Sequence, residues 1–192
     1  MATNNEIEFK QLLTATQYDN LTDFYFKNET PFSQTNHYID TPDFQLKAQR
    51  CALRIRVKDQ HNEMTLKVPD AVGLLEYNFD TTVQPEINAP LPPSQLPQDI
   101  KDVLSQMHID IESLVILGSL TTERLEREID NNLLVLDKST YLNTTDYELE
   151  YEVQEYNSGL AQFHALLAEH DIDAVTPDNK VQRFFNRKEG LQ

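Results

Sequence analysis

At 192 residues the chain is long enough for one domain with a substantial core, or at most two small ones. A formal net charge of −16 argues against non-specific binding to nucleic acid or to an anionic membrane surface. No apolar run approaches the ~20 residues of a membrane-spanning helix. The opening "MATNNEIEFK" lacks a secretory pattern, and the single cysteine, Cys51, has no intramolecular disulfide partner, so a cytoplasmic protein is expected.

In chain order, "EIEFKQLL" reads as a strand with Glu6, Glu8 and Lys10 on one face and Ile7 and Phe9 on the other. "TATQYDNLTDFYFKNE" spaces Tyr18, Leu21, Phe24 and Tyr25 as an amphipathic helix does. "TNHYIDT" is a strand ended by the turn at Pro42. "RCALRIRVK" and "EMTLKVP" alternate polar and apolar residues on either side of "DQHN", a hairpin turn, and "GLLEYNFDTTV" adds a strand from Gly73. Residues 84–98 hold five of the nine prolines, which excludes a central strand and predicts a surface connector. A short helix is expected within "SQLPQDIKDVLSQM". "LGSLTTERLEREID" and "LLVLDKSTYL" flank the turn "DNN", and "DYELEYEVQ" is an alternating strand. "SGLAQFHALLAEHDI" places Leu160, Phe163, Leu166 and Leu167 on one helical face. The last segment, "TPDNKVQRFFNRKEG", opens on a helix-entry signal, Thr176 then Pro177. These segments amount to roughly eight strands and about four helices, read as a single domain over residues 1–192.

The strands share one pattern. Arg54, Arg56 and Lys58 alternate with Leu53, Ile55 and Val57, and Glu63, Thr65 and Lys67 oppose Met64, Leu66 and Val68. Glu76, Asn78 and Asp80 share a face. Asp146, Glu148, Glu150 and Glu152 oppose Tyr147, Leu149, Tyr151 and Val153. An antiparallel sheet with one wet face gives this alternation. So does a closed barrel with a polar interior and helices covering its apolar outside. Periodicity alone leaves both open.

Several motifs are more specific. "EIEFK" matches the ExExK signature of the CYTH superfamily, the triphosphate tunnel metalloenzymes. "LRIR" (Leu53 to Arg56) resembles the family's paired-arginine strand, and "TLK" (Thr65 to Lys67) its following lysine strand. Glu76 stands where the fifth strand carries an acid, Arg124 lies in "TTERLERE", and Asp137 in "LLVLDKS". "YELEYE" resembles the late ExE strand, and "NKVQRF" the SKxxR motif, with Lys180 and Arg183. The chain resembles in particular the small stand-alone CYTH proteins of Gram-positive bacteria. Two departures are present: Asn179 replaces the serine of SKxxR, and "LLEYN" lacks a basic residue and a second acid often found on the fifth strand.

The resemblance implies an α+β fold, an eight-stranded antiparallel β-barrel forming a triphosphate tunnel, with helices packed outside. It implies that Lys10, Arg54, Arg56, Lys67, Arg124, Lys180 and Arg183 bind substrate. A triphosphate carries about four to five negative charges, and the arginine fork matches phosphate oxygens in pairs. Glu6, Glu8, Glu148 and Glu150, with Glu76 and Asp137 less central, are the implied ligands of Mg2+ or Mn2+, which prefer hard oxygen donors. Glu6, Glu8, Lys10, Glu148 and Glu150 form the implied catalytic set. The expected activity is metal-dependent removal of the terminal phosphate from an inorganic or organic triphosphate. A nucleotide cyclase and a non-catalytic triphosphate-binding module are the alternatives. A small-molecule partner is expected, with no nucleic acid or membrane, and a homodimer is allowed. Arg127 is out of phase with Arg124 and reads as outward-facing, while Glu152 and Lys58 read as strand-end charges. Tyr38 and Asp40 either approach the site or pack the second strand. The five histidines show no metal-ligand spacing and are left outside the site.

Overall fold

The computed structural model describes residues 2–191. Its strands are β1 (Ala2–Leu13), β2 (Phe32–Asp40), β3 (Ala52–Lys58), β4 (His61–Pro69), β5 (Leu74–Asp80), β6 (Val115–Ile129), β7 (Asn132–Tyr141) and β8 (Thr144–Val153). They follow one another in the order β1-β5-β4-β3-β2-β6-β7-β8 as a closed antiparallel barrel, the expected fold. The helices among the described residues are α1 (Ala15–Tyr25), α2 (Gln45–Ala48), α3 (Gln98–Gln106), α4 (Tyr156–Glu169) and α5 (Lys180–Gly190). By its internal contacts the chain divides into two compact units, residues 2–5 with 34–120 and residues 6–33 with 121–191.

In the first unit, β3 pairs with β4 and β4 with β5, and directly opposite residues share a face. Arg54 opposes Thr65, Arg56 opposes Glu63, and Lys67 opposes Glu76. Leu53, Ile55, Met64 and Leu66 fall on the other face and are buried against Leu46 of α2 and Ile100 and Leu104 of α3. The hairpin turn is tighter than "DQHN": only Asp59 and Gln60 turn, with Asp59 at φ 54°, and His61 and Asn62 already belong to β4. The proline-rich connector is not simply a surface loop. Its prolines keep it out of the sheet, but Leu91 and Leu96 are 1% and 5% exposed and sink into the same core. Short α2 has no clear periodic signal in so few residues. The Asp40 carboxylate fixes it by accepting the backbone N–H groups of Thr41, Leu46 and Lys47 at 2.7, 2.9 and 3.0 Å.

The second unit is organised by hairpins. Asp130–Asn131 and Leu142–Asn143 are two-residue turns with every φ positive, the twist that suits antiparallel strands. "DNN" signals the first; Leu142 hides the second. Leu134, Leu136, Leu149, Tyr151 and Val153 form the apolar face and bury against Tyr18 and Leu21 of α1 and Phe163 and Leu167 of α4. Arg127 does face this helical side, where it pairs with exposed Glu29 and lies over the Phe26 ring. The last helix begins later than Thr176–Pro177 suggests. Asn179 is its N-cap, accepting from the Gln182 N–H at 2.8 Å, so the residue in the serine position does what a serine does.

Gly159 lies in the first turns of α4, where an added Cβ would stand 2.6 Å from Cβ, Cγ1 and Cγ2 of Val153. Alanine has the better helix propensity by about 1 kcal/mol, but this clash is with a branched side chain anchored in the sheet. Gly159→Ala is therefore expected to destabilise the protein by roughly 1–3 kcal/mol in urea denaturation; a stabilised variant would contradict the packing described.

Candidate active site

The face opposite the apolar core carries the chemistry in both units. In the second unit, register brings the charges together. Lys10 opposes Glu150, Asp137 opposes Glu148, and Arg124 opposes Asp137. Glu8 lies two residues before Lys10 on the same face, and its carboxylate takes the Lys10 ammonium at 2.8 Å. Glu6 stands a further two residues back along that face of β1.

Arg124 grips Asp137 with a two-point fork, Nε to Oδ1 at 2.8 Å and Nη2 to Oδ2 at 2.7 Å, and reaches Glu150 at 3.3 Å. From α5, Lys180 and Arg183 are three residues apart and project on one side. Lys180 Nζ lies 2.8 Å from Asp137 Oδ2 and 3.3 Å from Glu148 Oε1, and it also pairs with Glu150 Oε1. Arg183 holds Asp146 through Nε at 3.1 Å and Nη2 at 3.3 Å, Glu148 Oε2 at 2.5 Å, and the Asp178 carbonyl through Nη1 at 2.6 Å. Tyr141 donates its hydroxyl to Asp146 at 2.7 Å.

Burial makes these pairs strong. Asp137 and Glu148 are fully buried. Burial alone would lower the Lys180 ammonium, yet Asp137, Glu148 and Glu150 hold it well above the usual lysine range. Burial would raise Glu150, but Lys180, Arg124 and Lys10 hold it well below the carboxylate range. For Glu148 burial wins, pushing the carboxyl up to about 7 against the pull of Lys180, Lys10 and Arg183. Its Oε1 is buried without a hydrogen bond: the Lys180 contact is one of charge without hydrogen-bond geometry. Among the described residues no group of three or more His, Cys, Asp or Glu side chains already has the geometry to hold a metal.

The first unit carries a sparser set. Lys67 pairs with Glu76 at 2.8 Å, Asn78 donates to the other Glu76 oxygen at 3.4 Å, and Thr65 donates to Asn78 at 2.7 Å. Arg56 donates from Nε to Asn36 at 3.0 Å, while Arg54 Nε is buried without a hydrogen bond. Burial would raise Glu76, but Lys67 and Arg54 draw it down from 4.5 to about 2. Asp40 is committed to capping α2, whereas Tyr38 opposes Arg54 across β2 and β3.

Register and helix packing thus gather Lys10, Arg124, Asp137, Glu148, Glu150, Lys180 and Arg183 in one unit and Arg54, Arg56, Lys67 and Glu76 in the other. Tyr141 and Asn36 were not singled out by sequence. Asp146 is read there on the charged face with Glu148 and Glu150 but not among the site residues.

Residues 4–185 match the CYTH domain family. A Bacillus subtilis (strain 168) protein provisionally named a triphosphatase, YjbK, is 39% identical over 190 residues, 98% of each chain. A crystal structure from Bacillus halodurans, provisionally named an adenylate cyclase, superimposes with a TM-score of 0.84 at 33% identity, covering 96% of this chain and 100% of the other. A Hippeastrum protein, provisionally named an adenylyl cyclase and described as having a dominant triphosphatase activity, has the same fold at 23% identity and a TM-score of 0.74, over 94% of this chain and 95% of its own.

The Glu76 carboxyl has a lower pKa folded than unfolded, so its pairing stabilises above about pH 4.5 and that contribution is lost as pH falls toward about 2. Glu76→Gln should cost roughly 1–3 kcal/mol at neutral pH. In urea denaturation the gap from wild type should narrow as the pH drops through this window. A gap independent of pH would contradict the ion pair.

Proposed function

Because the chain belongs to the CYTH family, we propose that it is a metal-dependent triphosphatase, removing the terminal phosphate of an inorganic or organic triphosphate. The observation that carries this reading is the buried face of Lys10, Arg124, Lys180 and Arg183 set among Glu8, Asp137, Asp146, Glu148 and Glu150. Burying so many charges is poor economy for folding alone, since apolar residues of the same volume serve a core as well or better. A polyanion with its cations gives those charges a purpose. The name of the B. subtilis relative points to the same chemistry.

In this account Lys10, Arg124, Lys180 and Arg183 bind the substrate's oxygens, and Arg54, Arg56 and Lys67 are the phosphate-binding candidates of the first unit. Forked guanidinium groups orient phosphate oxygens, and lysines serve as movable point charges. Asp137, Glu148 and Glu150, with Glu6 and Glu8, supply the hard oxygens that fit Mg2+ or Mn2+, and the unbonded Glu148 Oε1 suits that use. Bound there, the ion would supply charge neutralisation at the phosphate oxygens. Glu76, with both oxygens taken by Lys67 and Asn78, serves to position Lys67. No single glutamate is assigned as the base.

The test is phosphate release from inorganic triphosphate, ATP and thiamine triphosphate with magnesium and with manganese. Wild type should release phosphate. Glu150→Gln and Glu6→Ala should each lower kcat/KM by ~100-fold or more while keeping the fold by circular dichroism. Cyclic AMP with pyrophosphate in place of phosphate would make the chain a cyclase, the reaction named for the B. halodurans relative. Tight triphosphate binding without turnover would make it a binding module.

A further inference from the structure

We infer that Lys180 is a built-in competitor for the divalent cation: its ammonium occupies the cation position among Asp137, Glu148 and Glu150, and it must withdraw before a metal can enter. This inference rests on the metal-dependent reading above and concerns how that site is controlled.

Three carboxylates from β7 and β8 converge on one nitrogen. Asp137 and Glu148 are direct cross-strand partners, and Glu150 follows Glu148 on the same face. The Lys180 ammonium stands 2.8 Å from Asp137 and 3.3 Å from Glu148 and also contacts Glu150. Magnesium draws oxygen ligands to about 2.0–2.1 Å. Asp137 and Glu148 stand wider than that around the ammonium, and among the described residues these carboxylates converge on a point without forming a ready ligand set. The two cations exclude each other by space and by charge. Arg124 and Arg183 already share these same carboxylates, so a divalent ion added beside Lys180 would stand against a neighbouring ammonium with its anions already engaged.

Two further features suit exchange of the ammonium for a harder cation. Glu148 is fully buried, and its Oε1 is turned toward this point without a hydrogen bond. Lys180 can also leave without taking α5 with it. It is the first residue of the helix, on a flexible four-carbon stem. The helix is held independently by Arg183 on Asp146, by the Asn179 cap, and by Phe184 and Phe185, which are 0% and 2% exposed. The withdrawn ammonium needs a new anionic partner, and a phosphate oxygen serves. Metal entering together with triphosphate is therefore favoured over metal entering alone.

The test is calorimetric titration of Mn2+, without any triphosphate, into wild type, Lys180→Met and the double variant Lys180→Met with Glu148→Gln. Lys180→Met should bind Mn2+ at least ten-fold more tightly than wild type, and Glu148→Gln should remove that gain. In wild-type protein, saturating Mn2+ should also speed reductive methylation of Lys180, read by peptide mass spectrometry, which keeps the test open if Lys180→Met folds poorly. Equal or weaker Mn2+ binding by folded Lys180→Met, with binding still lost on Glu148→Gln, would overturn the competition and leave the metal site standing. Unchanged methylation of Lys180 in Mn2+-loaded wild type would overturn it as well. Mn2+ binding by neither protein, or binding indifferent to Glu148→Gln, would overturn the metal site and the competition together.

Discussion

A carboxylate with no access to water needs fixed cations beside it, and that constraint organises the second unit. Asp137 and Glu148 are fully buried, and Arg124, Lys180 and Arg183 are the groups that hold them. Removing one partner of such a pair strands the other and costs about 3–5 kcal/mol. The register of β6, β7 and β8 and the start of α5 must therefore be right to within a residue. A slip of one position in β8 would exchange Glu148 for Leu149 and place a carboxylate in the apolar core beneath α1 and α4. Two-residue turns with positive φ at 130–131 and 142–143 hold that phase.

The same arrangement sets a condition on function. The cations of the second unit are engaged by protein carboxylates. Arg124 gives its fork to Asp137, and Arg183 divides its donors among Asp146, Glu148 and the Asp178 carbonyl. On the proposed reading, a triphosphate would take over part of this hydrogen bonding, and the released carboxylates would need positive charge in return. Exchange of partners, with a divalent ion compensating the acids, would satisfy both sides at once. The first unit differs: Arg54 Nε is buried with no hydrogen bond, and Lys67 and Arg54 draw down Glu76.

Much of this was legible in the sequence because strand parity is local. Two-residue alternation assigned Arg54, Arg56, Lys67, Glu148 and Glu150 to charged faces, and motif resemblance singled out Lys180 and Arg183 in a helix that shares no strand periodicity. Closure of the strand order was not legible from periodicity, since an open sheet with a wet face has the same alternation. The connector misled because its prolines speak only of hydrogen bonding in the sheet, whereas Leu91 and Leu96 are buried in the same cluster as Leu53, Ile55, Met64 and Leu66, distant in sequence. Thr176–Pro177 suggested the helix start, but the side chain that accepts the first free N–H is Asn179. The link from Tyr141 through Asp146 to Arg183 spans 42 residues of chain, and no local pattern announces it.

The proposed reaction is attack of water on the terminal phosphorus of a triphosphate held by these cations. Turnover of inorganic triphosphate in 18O-labelled water, followed by mass spectrometry of the products, reads that step directly. One solvent oxygen in each orthophosphate, with unlabelled pyrophosphate, is the predicted result. Label in the pyrophosphate, or none in either product, would contradict it.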